Sequence, residues 1–257
     1  MKLHPRLSSA LRASFFHLLA SLLVAALTAI LVFQVWYAWP LDEMVGGRTL
    51  FMLVVSVDVV CGPLLTLVLW NPAKPRRELI QDLTIVAIVQ MSMLAYGVHT
   101  VAAARPVHLV FETDRFQIVT AAEIDPADLP AAPEGLRQLP WTGPTLISIR
   151  APRSNEEFIK SLDLSMAGQE PGLRPGWWQD YALALPEVQQ RAKPLSALDK
   201  VSPAKKLELD KAVSTAGIPA SELLWLPLTH ARAMDWIVLL DKKTGQPRAY
   251  AHVDGFF

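Results

Sequence analysis

The sequence predicts a membrane protein in which three transmembrane helices precede a soluble α+β domain. Three observations lead to this fold class. Residues 1–104 contain three long apolar stretches, most charged residues follow residue 104, and the later residues alternate between strand-like and helix-like patterns. We therefore expect a three-span membrane domain over residues 1–104 and a soluble domain over residues 105–257.

Each apolar stretch is long enough to cross a bilayer, because about 20 helical residues span its hydrocarbon core. We place the spans at about residues 15–39, 49–70 and 79–103. The first stretch is longer than the core of a secretory signal, which has about 7 to 15 residues. It also ends in the aromatic sequence "WYAW", which suits a membrane boundary. We therefore expect it to remain as a membrane helix.

Basic residues beside the spans predict the orientation, since lysine and arginine are enriched in cytoplasmic loops. They lie before the first span and between the second and third, at Lys2, Arg6, Arg12, Lys74, Arg76 and Arg77. The last three should anchor the turn between the second and third spans at the cytoplasmic surface. In a bacterium with two membranes, the N-terminus is then cytoplasmic, the spans lie in the inner membrane, and the C-terminal domain is periplasmic.

The soluble domain should contain two hairpins and at least one further strand. Alternating apolar and polar residues on both sides of Thr113 and Asp114 predict the first hairpin. Thr145–Ile149 is a candidate third strand. Residues 236–240 and 248–253 predict a closing hairpin.

A proline-rich stretch over residues 125–144 separates the first hairpin from the third strand. It has five prolines and two glycines, too many for regular structure. The composition fits an ordered excursion of the chain and a mobile loop equally well.

Two helices are predicted from their first residues. Ser154 and Glu157 form a capping box, which predicts a helix from Asn155 to about Ala167. Ser202 followed by proline begins a second helix that Gly217 should end. Its apolar face comprises Leu209, Ala212, Val213 and Ala216.

The residues offer no recognisable catalytic, cofactor or metal site. His108, His230 and His252 are far apart in sequence and lack metal-ligand spacing, and neither a nucleophile elbow nor a phosphate-binding glycine pattern is present. The single cysteine, Cys61, has no partner for a disulfide within the chain. Equal numbers of acidic and basic residues, 24 each, give no field that favours nucleic acid.

Asp58 is the most unusual residue of the predicted spans, because a charged aspartate at mid-membrane costs roughly 2.5 to 3.5 kcal/mol. Asp82 cannot share a proton with it: at about 1.5 Å of rise per residue, the two carboxyls differ in depth by about 13 Å. Two interpretations remain. Asp58 hydrogen-bonds Gln90 of the third span and fixes the helix packing, or it contacts a membrane helix of another protein.

Gly62 and Pro63 follow one turn after Asp58. Glycine permits close approach of a neighbouring helix, and proline removes one backbone hydrogen bond, so we expect a kink here. Exposed carbonyls at this depth require cover by protein or water. Asp58, Gly62, Pro63 and Gln90 are therefore the candidate residues for an interaction within the membrane.

Several short motifs carry a resemblance to a known family. They are Asp58 with "GPLLTL" after it, the turn "NP" and "RREL", "DL" and "AYG" in the third span, "ARPV" at its exit and the later "DRF". Over Asp58–Phe116 the chain closely resembles the TfpX/TfpZ family of type IV pilin accessory proteins. Outside this segment, the three spans and "LLDKKTG" followed by Tyr250 match more loosely.

The resemblance implies an inner-membrane protein that assists the handling or assembly of one pilin subtype into type IV pili, the fimbriae of twitching motility. It implies no catalytic residues and no cofactor. The expected partners are the membrane and a type IV pilin, with other pilus assembly components left open. The alternatives are a membrane-anchored sensor whose periplasmic domain binds a small ligand, and an intramembrane hydrolase, which would need a second acidic group near Asp58.

Overall fold

A computed structural model describes residues 5–198 and 201–256 of the chain. Lys2, one of the basic residues used to predict orientation, lies outside the described residues, as does Phe257 at the end of the predicted soluble domain. The chain divides into two compact units, Met1–Ala104 and Arg105–Phe257. The first unit is helical and the second contains a β-sheet, so the predicted fold class is confirmed.

The helical unit contains four helices within the described residues: α1 (Pro5–Ile30), α2 (Leu41–Met44), α3 (Gly47–Leu69) and α4 (Arg76–Ala103). Helix α1 continues into a π-helical turn over Leu31–Trp36. In the part of the chain that the structure describes, α1 with this turn, α3 and α4 are long and apolar enough to cross a membrane. The first helix begins well before residue 15, because the polar sequence ahead of the apolar stretch is also helical.

Helix α3 packs against both α1 and α4. Two glycines allow the close approach of α3 and α4: a Cβ atom on Gly97 would overlap the side chain of Val54, and one on Gly62 would overlap the amide of Gln90. In the last turn of α4, the backbone carbonyl of Val101 accepts a hydrogen bond from Tyr37 Oη at 2.6 Å. Small residues and interhelical hydrogen bonds are the usual basis of helix association in membranes.

The second unit is built on a mixed sheet. Its strands, as far as the structure describes them, are β1 (Pro106–Glu112), β2 (Arg115–Thr120), β3 (Thr145–Ile149), β4 (Trp178–Asp180), β5 (Lys193–Pro194), β6 (Leu223–His230), β7 (Ala233–Asp241) and β8 (Pro247–Ala251). The order is β4-β3-β1-β2-β6-β7-β8, and β5 pairs with β6. Strands β1 and β3 are parallel, as are β2 and β6, and the other pairs are antiparallel.

Both predicted hairpins are present, as β1–β2 and β7–β8, and β3 lies where the third strand was predicted. Strand β6 was not predicted. Its sequence "LLWLPLTH" neither alternates nor excludes a helix, and Pro227 argues against a strand. Pairing with β2 and β7 determines its conformation instead.

Helices α5 (Asn155–Met166), α6 (Leu185–Arg191) and α7 (Pro203–Ala216) complete this unit. Ser202 and Gly217 flank α7 as predicted, and its apolar face packs on a core that includes Trp225 and Leu239. At α5, Ser154 accepts from the amide of Glu157, but the Glu157 carboxylate accepts from the amide of Arg153 rather than from that of Ser154. The capping box is therefore only half formed, because Arg150 draws this carboxylate aside.

The proline-rich stretch is an ordered excursion with two short 3₁₀ turns, Pro126–Ala131 and Glu134–Leu136. Its apolar side chains, among them Leu129 and Ala132, pack on the core that contains Trp178 and Ile147. The prolines exclude long helices and strands, but they do not prevent burial.

Candidate functional site

The hydrogen bond predicted from Asp58 to Gln90 is present in the structure. Gln90 Nε2 lies 3.2 Å from Asp58 Oδ1 and 3.1 Å from the Asp58 backbone carbonyl oxygen. One amide group of α4 therefore satisfies two acceptors on α3. The second carboxylate oxygen, Asp58 Oδ2, accepts no hydrogen bond from the residues that the structure describes, so one strong acceptor remains for another donor.

Gly62 is the residue that brings Gln90 close enough for these contacts. It is buried, and a side chain at its position would overlap the Gln90 amide. Gly62 thus serves the α3–α4 interface within the chain.

Pro63 is buried at the opposite interface, between α3 and α1. Ser14 Oγ donates to the Pro63 carbonyl oxygen at 2.8 Å, and His17 Nδ1 lies 2.5 Å from Thr66 Oγ1. Helix α3 continues through Pro63 to Leu69, so the proline does not end the helix. Helix α1 thus covers the Pro63 carbonyl, whereas the carbonyl that the proline leaves without its helical donor is that of Val59, four residues earlier.

The turn between α3 and α4 contains the three predicted anchors. Lys74 Nζ forms an ion pair with Asp82 Oδ2 at 2.6 Å, and exposed Arg76 and Arg77 begin α4. Asp82 is thus engaged by Lys74 rather than placed near Asp58.

A groove of about 380 Å³ lies between α3 and α4 and reaches Asp58. Its lining is almost entirely apolar, with Ser92 and Thr100 as its other polar residues. Other lining residues include Leu50, Val54 and Val57 of α3 and Met93, Tyr96 and Gly97 of α4. The sequence pattern did not predict this groove. The residue in the sequence that could have indicated the groove is Gly97. It packs against Val54, on the same helix faces as Asp58 and Gln90.

The soluble unit separates its three histidines. His108 is buried beside Thr145 Oγ1 at 2.7 Å, and burial lowers its pKa to about 4. His230 lies 3.6 Å from a carboxylate oxygen of Glu123, and His252 lies 2.6 Å from one of Asp235. No group of three or more potential ligands that could hold a metal ion occurs among the described residues.

Comparisons with known proteins point to one family. The family model described as fimbrial assembly protein FimB matches residues 5–46. Three relatives come from Dichelobacter nodosus. The fimbrial assembly proteins of serogroups I and E1 are 35% and 34% identical over 248 residues, which is 96% of this chain and 96% of each relative. That of serogroups C1 and C2 is 43% identical over 123 residues, 48% of this chain and 94% of the relative. No solved structure matches.

Proposed function

Because the chain belongs to the fimbrial assembly protein family, we propose that it is a membrane accessory factor for type IV pilus biogenesis that assists a specific pilin without catalysis. The names of the relatives support a role in fimbrial assembly. The TfpX/TfpZ-like motifs between Asp58 and Phe116 support the narrower proposal of a pilin as the partner.

The localisation belongs to the same proposal. The three apolar helices support a membrane protein, and the basic residues of the α3–α4 turn support a cytoplasmic position for that turn. The helical unit then lies in the inner membrane with its N-terminus in the cytoplasm, and the second unit lies in the periplasm.

The groove beside Asp58 supports the proposal that a pilin helix binds to this protein within the membrane. Its apolar walls suit a transmembrane helix, and Asp58 Oδ2 offers an acceptor that a polar group on such a helix can satisfy. Gly62 and Pro63 act through the helix packing within the chain, since both are buried against its own helices. The partner helix therefore contacts Asp58 and the groove rather than all four candidate residues.

Site-specific photocrosslinking in the native membrane tests this proposal. A photoreactive residue at Val57 or Tyr96, which line the groove, should give a covalent adduct with pilin. The same residue at Leu23, a 62% exposed position of α1 outside the groove, should not. Absence of pilin from the groove adducts, together with normal piliation and twitching in a deletion strain, would exclude the proposed function.

The structure does not favour the intramembrane hydrolase. Asp82, the other aspartate of the spans, forms its ion pair with Lys74 in the turn. Wild-type pilin processing in an Asp58→Ala strain is the expected result.

A further inference from the structure

Helix α5 presents four of its apolar side chains to solvent. Phe158, Ile159, Leu162 and Met166 are 55%, 58%, 53% and 75% exposed. A surface helix normally directs such residues toward the core. Four exposed apolar side chains on a 12-residue helix indicate a surface that another molecule covers.

Polar contacts hold α5 in this unusual orientation. Arg150 forms a bidentate pair with Glu157 at 2.6 and 3.0 Å, and Arg174 Nη2 donates to Ser161 Oγ at 2.8 Å. Ser161 is the buried residue of this helix. The polar face thus attaches the helix to the rest of the unit and leaves the apolar face outside.

A cleft of about 620 Å³ adjoins α5. Phe158 and Leu162 form part of one wall, and Met234, near the β6–β7 turn and 54% exposed, contributes to the lining with His230. The remainder comes from the β1–β2 turn, from the segment that follows α5 and from residues of other elements, such as Ile149 of β3 and Thr229 of β6. The cleft is therefore lined by both apolar side chains and polar or ionisable groups.

The ionisable groups of this interior are mostly acidic. Asp114 pairs with Arg115 at 2.9 Å, and Glu123 lies 3.6 Å from His230. The carboxylates of Glu112 and Glu170 have no cationic partner within 4 Å among the residues that the structure describes. Among the described residues, Glu170 and Glu112 therefore lack an ion-pair partner in the cleft, and Glu112 Oε1 accepts from the backbone amide of Gly172.

Arg174 is near these carboxylates but does not neutralise them by contact. Its guanidinium donates to Ser161 and to the backbone carbonyl of Glu170. Burial raises the pKa of Glu112 to about 7, and the nearby Glu170 adds to this effect. Gln117 Oε1 is also buried, without a hydrogen-bond donor in the described part of the chain. Glu112, Glu170 and the buried Gln117 oxygen are therefore acceptors in the cleft that a further donor can satisfy.

We propose that this cleft binds a protein segment that directs a lysine or arginine toward Glu112 and Glu170 and covers Phe158, Leu162 and Met234 with apolar neighbours. A cationic side chain donates to these acceptors and carries a charge opposite to that of Glu170, and its approach favours the ionised form of Glu112. From Phe158 to Met166 the apolar surface extends about 12 Å along α5, which suits a peptide segment better than a small cation. The acidic interior repels anionic lipid headgroups. The inference does not depend on what fills the α3–α4 groove.

Photocrosslinking of the full chain in its native membrane tests the inference. A photoreactive residue at Ile159, beside the cleft, should give an adduct whose partner peptide, identified by mass spectrometry, has a lysine or arginine among apolar residues. The matched control is Leu207, a 58% exposed leucine of α7, where this adduct should be absent.

Charge exchange then tests the role of the acidic groups. Glu170→Lys should reduce the Ile159 adduct about tenfold or more, and changing the basic residue of the identified peptide to glutamate should restore it. Glu170→Gln should give an intermediate yield. Protease resistance equal to wild type shows that the variants fold.

Four results would overturn the inference: no adduct, adducts with lipid only, adducts with a segment that lacks a basic residue, or an adduct that is insensitive to Glu170→Lys. The Val57 adduct with pilin should persist in Glu170→Lys. If the Ile159 result fails while the Val57 adduct remains, the cleft proposal fails and the proposed function stands.

Discussion

Gly62 of α3 faces the side-chain amide of Gln90 on α4 so closely that a Cβ atom on the glycine would overlap that amide. The same amide donates to the side chain and the backbone of Asp58. One glycine thus determines whether a polar contact of the membrane unit can form.

Replacing Gly62 with valine should displace Gln90 and break both hydrogen bonds to Asp58. Interhelical hydrogen bonds in membrane proteins contribute about 0.6 to 2 kcal/mol each, so the thermal midpoint of the protein in detergent should fall. Gly135→Val is the matched control, because no atom lies within 4 Å of a Cβ at that position. Equal midpoints for the two variants would show that Gln90 can move aside without loss.

At Asp58, asparagine and alanine should have different effects. Asparagine keeps the side-chain oxygen that accepts from Gln90, whereas alanine removes it, so only Asp58→Ala should lose about 1 kcal/mol of stability. Thermal unfolding in detergent measures stability, and twitching assays measure function. If Asp58→Asn unfolds like wild type but abolishes twitching, the carboxylate charge acts on a partner instead of on the packing.

The sequence was most informative where lipid restricts the structure. A charged group in a span requires a partner, so Asp58 and Gln90 could be paired from depth alone. The kink at Pro63 stays a prediction, and the sequence did not show that Ser14 of α1 donates to the Pro63 carbonyl. Such contacts join helices that are distant in sequence, so the residue pattern of one helix does not reveal them.

In the soluble unit, the sequence predicted elements formed by local contacts but not those that depend on distant strands. The β1–β2 hairpin was predictable because its two strands are local and alternate. Strand β6 was not, since its partners β2 and β7 determine its conformation and it lies parallel to β2, far away in sequence. The exposed apolar face of α5 was also missed, because periodicity identifies an apolar face without showing which side meets the core.

Ser154→Ala should loosen the first turn of α5. Ser154 Oγ accepts the amide of Glu157 at 3.2 Å, and loss of such a cap costs about 1 kcal/mol. Amide hydrogen exchange in that turn should therefore accelerate about fivefold. Ser202→Ala, which removes the cap that accepts from the amide of Lys205, is the control and should accelerate exchange in α7 only. Unchanged exchange in α5 would show that other contacts, such as the Arg150–Glu157 pair, hold this turn without the cap.

The stability of the soluble unit should depend on pH through two buried groups with opposite effects. Burial raises the pKa of Glu112 from 4.5 to about 7, so between these values the folded protein holds a proton that the unfolded chain has lost, and stability falls as pH rises. Burial lowers the pKa of His108 from 6.5 to about 4. Between those values the unfolded chain binds a proton that the folded protein does not, and stability rises with pH.

Between pH 4.5 and 6.5, the fall in stability caused by Glu112 and the rise caused by His108 largely cancel. The contribution of Glu112 to stability is therefore visible only as a difference between variants. Glutamine at position 112 keeps an acceptor for the Gly172 amide and cannot ionise. Relative to wild type, Glu112→Gln should gain stability steadily from pH 4.5 to about 7 and remain level above it, with a limiting difference on the order of 3 kcal/mol. Thermal midpoints of both proteins across this range measure the difference. A constant difference would mean that Glu112 ionises freely in the folded protein, which would remove the electrostatic penalty inferred for the cleft.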